Sequence, residues 1–257
     1  MALKHSTSIT TINGWRLTAT KKDSKFKFVP CLINPKLKDG VMKYQRIEGC
    51  SLERMIGFIV EVNRIEKLQF ILYLDIGKAR DKQRLVEAGD TDIFIYGEHG
   101  ERERGWQLFT PQAVGEAIHP DWLKGFERQF QKKEEENLAL TSRVELAKGR
   151  IKHIPMVDFD CACSEQNFQK AIEALLALGE KGGFLLKSGK SYHYYGIGLL
   201  SETRWHNLMK RCQKQELIGY DWPLLQLRDG FSGLRVSTSS TKSHLPQLIA
   251  KIGDFEF

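Results

Sequence analysis

The sequence predicts an α+β protein: a β-α-β-β-α-β unit over residues 151–257, preceded by a mixed α/β unit over 1–120 and a helical connector over 121–150. Three observations lead there. Apolar runs of strand length alternate with helical stripes after Lys152. Short β-rich runs bounded by Gly, Asp, Asn and Lys recur before Pro120. Between them the segment QKKEEEN is charged and solvated, which marks a boundary.

In the first part, Gly14–Ala19, Phe26–Cys31, Gln69–Ile76 and Ile93–Tyr96 read as strands. Ser51 has the hydroxyl to cap a helix running to about Val62, and Lys78–Ala88 has helical composition. That second helix lies between two strand runs, the pattern of a βαβ unit. In the connector, Asp121 is a helix cap, and Trp122, Phe126 and Phe130 recur every four residues. A helix that starts packed and ends as a polar linker is the expectation.

From Lys152 the signals sharpen. His153–Asp160 reads as one apolar strand ending in acids. Ser164 caps a helix whose stripe is Phe168, Ile172, Leu175, Leu176 and Leu178; Gly182-Gly183 ends it. Phe184–Lys187 and Tyr192–Gly196 are strands joined by a tight turn at Ser188-Gly189-Lys190. Ser201 opens a helix carrying Trp205, Leu208, Met209 and Cys212, and Leu234–Thr238 is a further strand. Ser243–Ile252 reads as a closing helix with Pro246 in its first turn. The order is the split βαβ arrangement of RRM-like and ferredoxin-like folds, which host many activities.

Composition narrows the classes. Of 257 residues 41% are hydrophobic and 28% charged, ordinary for a globular chain. MALKHSTSITT has no apolar core of a signal peptide, and the best apolar stretch, Phe70 to Leu74, is far short of the roughly 20 residues a membrane span needs, so no membrane partner is expected. Five cysteines with no CxxC pair indicate reduced thiols and a cytoplasmic setting. Cys161, Cys163 and His153 lack the further ligands a zinc site requires and read as small buried residues. The net charge of +7 leans toward a polyanionic partner, and +5 of it falls before Ile151.

The chemistry is concentrated in three places. Asp158 and Asp160 stand two apart at a strand end, so both carboxylates point to one side. Two such acids repel unless a cation lies between them, and hard ions such as Mg2+ or Mn2+ take oxygen ligands while leaving positions for phosphates. In Ser188-Gly189-Lys190-Ser191-Tyr192-His193, a glycine turn offers backbone N–H groups, hydroxyls, an ammonium and an imidazole to an anion such as a triphosphate. In Asp229-Gly230-Phe231-Ser232-Gly233-Leu234-Arg235, the arginine suits bidentate contact with phosphate, and Lys242 follows downstream. Asp229 and Asp221 compete as a third carboxylate, and each is equally at home in a turn or at a helix end.

Taken together, MVDFDC, LLKSGKSYHYYG and RDGFSGLRVSTSSTK resemble motifs I, II and III of the archaeo-eukaryotic primases and primase-polymerases. SGKSYH also resembles the corresponding turn in polymerase domains of bacterial end-joining ligases. The resemblance covers about 100 residues, His153 to Lys242, and lacks the zinc motif of the small primase subunit. It implies a template-directed nucleotidyltransferase using two Mg2+ or Mn2+ ions on Asp158, Asp160 and Asp229, with Asp221 as the alternative third ligand. It implies Ser188, Gly189, Lys190, His193, Arg235 and Lys242 as the nucleotide-binding residues. The implied partners are nucleoside triphosphates, single-stranded or primer-template DNA, and replication or defence proteins. The same scaffold without a third carboxylate would be a nucleotide- or nucleic-acid-binding protein that does not polymerise.

Overall fold

The computed structural model describes residues 9–12, 15–18, 43–47, 49–74, 134, 136–240 and 242–257. The chain is α+β with antiparallel sheets and, among the described residues, four α-helices. The predicted strands Phe26–Cys31 and Ile93–Tyr96, the helix Lys78–Ala88 and the aromatic stretch Trp122 to Phe130 lie outside the described residues.

β1 (Ile9–Ile12) and β2 (Trp15–Thr18) form a two-stranded ribbon. β3 (Tyr44–Arg46) precedes α1 (Leu52–Asn63), whose first turn is closed by the Ser51 hydroxyl accepting from the Arg54 N–H, as the sequence predicts. β4 (Ile65–Leu74) then pairs with β5 (Glu136–Leu146). That corrects the helical connector, whose described part is a strand. The charges of QKKEEEN masked a period-two pattern in which Leu138, Leu140 and Val144 face the core.

The predicted strand His153–Asp160 is two strands in two sheets. β6 (Arg150–His153) pairs with β5, and β7 (Met156–Asp158) pairs with β9 (Ser191–Gly196). Between them stand Ile154 and Pro155, and proline, without an N–H, cannot continue a ladder. α2 (Glu165–Ala177) follows, capped by the Ser164 hydroxyl, then β8 (Gly183–Ser188), whose hairpin with β9 turns at Gly189-Lys190. Gly189 has φ 68 at the first central position, where a primed hairpin turn takes glycine. α3 (Glu202–Cys212) opens at Ser201 as predicted. α4 (Asp221–Asp229), where only a turn or helix end was expected, ends at Gly230 in the left-handed region, φ 76. β10 (Gly233–Arg235) pairs with β5, and the chain closes with β11 (Gln247–Ile252).

β11 corrects the predicted closing helix. Leu248, Ala250 and Ile252 are buried while their neighbours are more exposed, and that alternation outweighs the helix-start signal of Pro246. The five-stranded sheet has the order β3-β11-β8-β9-β7, every pair antiparallel. β7 and β8 therefore run parallel on either side of β9, and β9 and β11 on either side of β8, so each helical crossover spans one intervening strand.

Both faces of this sheet are covered. Val157, Phe159, Leu185, Tyr192 and Tyr194 join α2 and α3 in one apolar cluster. Met156, Phe184, Leu186 and Tyr195 join α1, β4, β5 and β10 in the other, which links residues from Ile47 to Phe255. Side chains alternate along a strand, so Asp158 and His193 belong to the second face, toward β10 and β5.

Candidate active site

Asp158 ends β7 directly opposite His193 in the β7–β9 register. The His193 Nε2 lies 3.4 Å from the Asp158 Oδ1. The chain then leaves the regular ladder, and three bonds hold it beside β9. The Phe159 N–H donates to the Tyr192 carbonyl at 2.9 Å, the Ser191 hydroxyl donates to the Phe159 carbonyl, and the Cys161 N–H donates to the Ser191 oxygen at 3.4 Å. On the other side the Asp160 N–H donates to the Leu217 carbonyl at 2.8 Å, and the loop at Gly219 comes up against the Asp160 carboxyl. Ser191 thus positions the segment between the two acids. The sequence suggested it only as an anion donor.

The electrostatics follow from burial. Asp158 keeps 38% side-chain exposure yet is enclosed by protein on most sides. Burial pushes its carboxyl up to about 7, the Asp160 carboxylate pushes the same way, and Lys242 and Arg235 oppose them. His193 is 7% exposed; burial, then Arg235 and Lys242, hold it down to about 3, so it is neutral. Its Nδ1 has no hydrogen-bond partner, so the proton belongs on Nε2, facing Asp158.

Arg235, 4% exposed, comes from the other sheet. Its guanidinium donates to the carbonyls of Ser237 and His244, the latter at 2.8 Å, and to the Ser188 hydroxyl at 3.1 Å. That last bond ties the end of β8 to β10. Lys242 is exposed, held in a tight loop by reciprocal backbone bonds with Ser239 at 3.0 and 3.1 Å. Asp158, Asp160, His193, Arg235 and Lys242 therefore act on one another, with Ser188 attached through Arg235.

Other predicted residues are not in that group. Gly189 and Lys190 form the exposed hairpin tip, and the Lys190 carbonyl accepts from the Cys163 N–H at 3.0 Å, about three strand residues beyond the register of Asp158. Asp229 ends α4, its side chain 7% exposed and bonded by the Arg228 Nε at 3.1 Å. Asp221 is exposed in the first turn of the same helix. Neither is among the groups that act on Asp158. Among the described residues no three His, Cys, Asp or Glu side chains form a group able to hold a metal. His153 is far from a zinc role: its side chain is fully buried, bonded to Ser142 and Glu202 and stacked on Trp205.

The fold and site define an α+β protein with paired acids beside a neutral histidine at a sheet edge, flanked by buried and exposed cations. A family model described as AEP-like, archaeo-eukaryotic primase 1D-like, matches residues 119–247, just over half of the chain. The chain belongs to the archaeo-eukaryotic primase superfamily, at family level a primase- and polymerase-like group of nucleotidyltransferases. No curated protein and no solved structure matches it. No helix among the described residues is long and apolar enough to cross a membrane.

Proposed function

We propose that this protein is a template-directed nucleotidyltransferase, built on an RRM-like unit, that extends a nucleic acid from nucleoside triphosphates. The observation that carries the reading is the pairing of Asp158 and His193, 3.4 Å apart, on the sheet face that also receives Arg235. Asp158 and Asp160 would hold Mg2+ or Mn2+. The fit rests on the donors themselves: two oxygen ligands, one partly buried, with Asp160 raising the proton affinity of Asp158. A bound divalent ion would supply charge neutralisation for triphosphate oxygens. Two carboxylates suit one such ion with positions left for phosphates. A second ion would call on Asp229, or Asp221 in its place.

The chain's own residues orient the substrate. The neutral His193 offers an Nε2–H donor to phosphate oxygen, Lys242 a point charge, and Arg235 a planar donor set braced by Ser188. Gly189 and Lys190 would reach the outer end of a triphosphate from the hairpin tip. No protein nucleophile is needed, because the primer 3′-hydroxyl attacks and pyrophosphate leaves, so positioning and charge stabilisation carry the catalysis.

The test is incorporation of labelled nucleotides on single-stranded and primer-template DNA with Mg2+ or Mn2+. Extension or dinucleotide synthesis that disappears in Asp158→Ala/Asp160→Ala is expected. No product, under conditions where a working primase gives one, would sink the reading. A second reading, a nucleotide- or nucleic-acid-binding protein that does not polymerise, is favoured by one observation: no third carboxylate joins the pair among the described residues. Nucleotide binding without incorporation would decide for it.

A further inference from the structure

α3 has two unlike faces. Trp205, Leu208, Met209 and Cys212 are buried in the cluster on the sheet face opposite Asp158 and His193. The outward stripe carries Arg204, Asn207, Lys210 and Arg211, continued by Lys214 in the turn that follows, all exposed. The helix has one acid, Glu202, and it is already engaged: its carboxylate oxygens lie 2.7 Å from the His153 Nε2 and 3.2 Å from the His206 Nε2. Three surface cations elsewhere are matched, Lys43 by Asp254, Arg46 by Glu165 and Lys67 by Glu145. No carboxylate forms an ion pair with Arg204, Lys210 or Lys214 among the described residues, and Arg211 lies near the carboxyl of Glu180.

Helix stability explains only part of this. Cations in the last turn, Lys210 and Arg211, complement the helix dipole. Arg204 stands in the first turn, where the dipole disfavours a cation. From Arg204 to Lys214 the stripe runs about 15 Å. Over that length one strand of a duplex presents roughly four phosphates, at about 3.4 Å each, to face the cations of Arg204, Lys210, Arg211 and Lys214.

We propose that the outward face of α3 is a second nucleic-acid contact, which docks the phosphate backbone of duplex DNA on the side of the sheet away from Asp158. The choice of nucleic acid as the polyanion rests on the nucleotidyltransferase reading; the surface itself does not. A contact there holds a duplex without entering the catalytic face, so it tethers the protein to DNA during priming or extension. It is non-specific, because phosphate contacts carry no sequence information.

The experiment titrates the full chain into a labelled duplex of about 20 base pairs at salt concentrations from roughly 50 to 200 mM. The parent is compared with Arg204→Glu/Lys210→Glu/Arg211→Glu/Lys214→Glu, with the matching Gln variant, and with Asp158→Ala/Asp160→Ala. Expected are at least tenfold weaker binding in the Glu variant and an intermediate loss in the Gln variant. Both variants should still melt cooperatively at a modestly lower temperature, because Lys210 and Arg211 complement the helix end. The slope of log K against log salt should shrink by about 2 to 4, near 0.9 for each phosphate that is no longer neutralised. The aspartate variant should bind duplex as the parent does. Unchanged affinity and slope in the Glu variant, or a parent that does not bind duplex, overturns the proposal. Loss of duplex binding in the aspartate variant alone moves the DNA to the catalytic face and also overturns it. A parent that incorporates no nucleotide but binds duplex, with that binding lost in the Glu variant, sinks the nucleotidyltransferase reading and leaves this surface standing.

Discussion

Asp158 and His193 are cross-strand partners whose side chains meet at 3.4 Å, one a carboxylate with raised proton affinity, the other an imidazole kept neutral. Each shift has burial as its first cause, and each makes the pair dependent on something outside it. The carboxylate is held up by burial and by Asp160 beside it, a pressure that a bound cation would relieve. The imidazole has an Nδ1 with no donor among the described residues.

Metal binding should therefore depend on pH in a defined direction. The folded carboxyl of Asp158 lies near 7, above its ordinary 3.8, so the folded state holds a proton that the unfolded state has released across that window. Without metal, this group lowers stability as pH rises from about 4 to 7. A divalent ion competes with that proton. Thermal melts should show a larger Mn2+-induced rise at pH 8 than at pH 5.5. Asp158→Asn should raise the metal-free melting temperature at pH 8 by roughly 2–4 °C, about 1 kcal/mol once solvent screening is discounted. An equal Mn2+ effect at both pH values would refute the assignment.

His193→Ala separates binding of metal from binding of nucleotide. The imidazole touches Asp158 and lies on the proposed phosphate path, so its loss should lower incorporation by about 100-fold or more. The Mn2+-induced stabilisation should persist, because both carboxylates remain. If stabilisation vanished and incorporation survived, His193 would be a metal-site residue and not a phosphate donor.

Much of this fold was legible, for local reasons. Ser51, Ser164 and Ser201 each cap the helix that the sequence assigns to them, because a cap depends on residues three apart. The Ser188–Ser191 hairpin was readable in the same way, as a short-range pattern. What failed was set by distant partners. Glu136–Leu146 looks like the end of a charged helix until β4, β6 and β10 pair with it. Gln247–Ile252 becomes a strand because β8 and β3 lie beside it. The place of a third carboxylate was not readable, since Asp229 depends on where α4 ends and on Arg228 beside it.

Arg235 should matter for folding as well as for phosphate. Its guanidinium spans the carbonyls of Ser237 and His244 and the Ser188 hydroxyl while almost wholly buried. Arg235→Ala leaves those acceptors without a donor and should cost about 3 kcal/mol, near 6–12 °C of melting temperature. Arg235→Lys should recover little, because one ammonium cannot replace a planar fork. Ser188→Ala removes a single bond and should cost about 1 kcal/mol. Denaturant titrations check all three, and an Arg235→Lys protein as stable as the parent would rule out the fork as the reason for arginine.

The last prediction concerns His153, which joins β6 to α3. Its Nδ1 lies 3.0 Å from the Ser142 hydroxyl oxygen, its Nε2 lies 2.7 Å from Glu202, and its ring stacks on Trp205 at 4.7 Å. Ser142 in turn accepts from the Ser232 N–H at 2.9 Å, so its own proton is available to Nδ1, and the neutral ring with its proton on Nε2 satisfies every partner. Burial lowers the proton affinity of His153, and although Glu202 pulls the other way, the net direction is down. A base with a depressed folded value takes up its proton first in the unfolded state, so stability falls as pH drops below about 6.5. His153→Ala should cost about 2–4 kcal/mol at pH 7.5, from a cavity beside Trp205 and lost hydrogen bonds. His153→Gln should flatten the stability curve between about pH 6.5 and 5 relative to the parent, a window that lies above the ordinary titration of Glu202. Denaturant unfolding of both variants at several pH values measures this. A difference between parent and His153→Gln that stayed constant across that window would show that the folded imidazole takes up its proton as readily as the unfolded one, and would refute the lowered proton affinity.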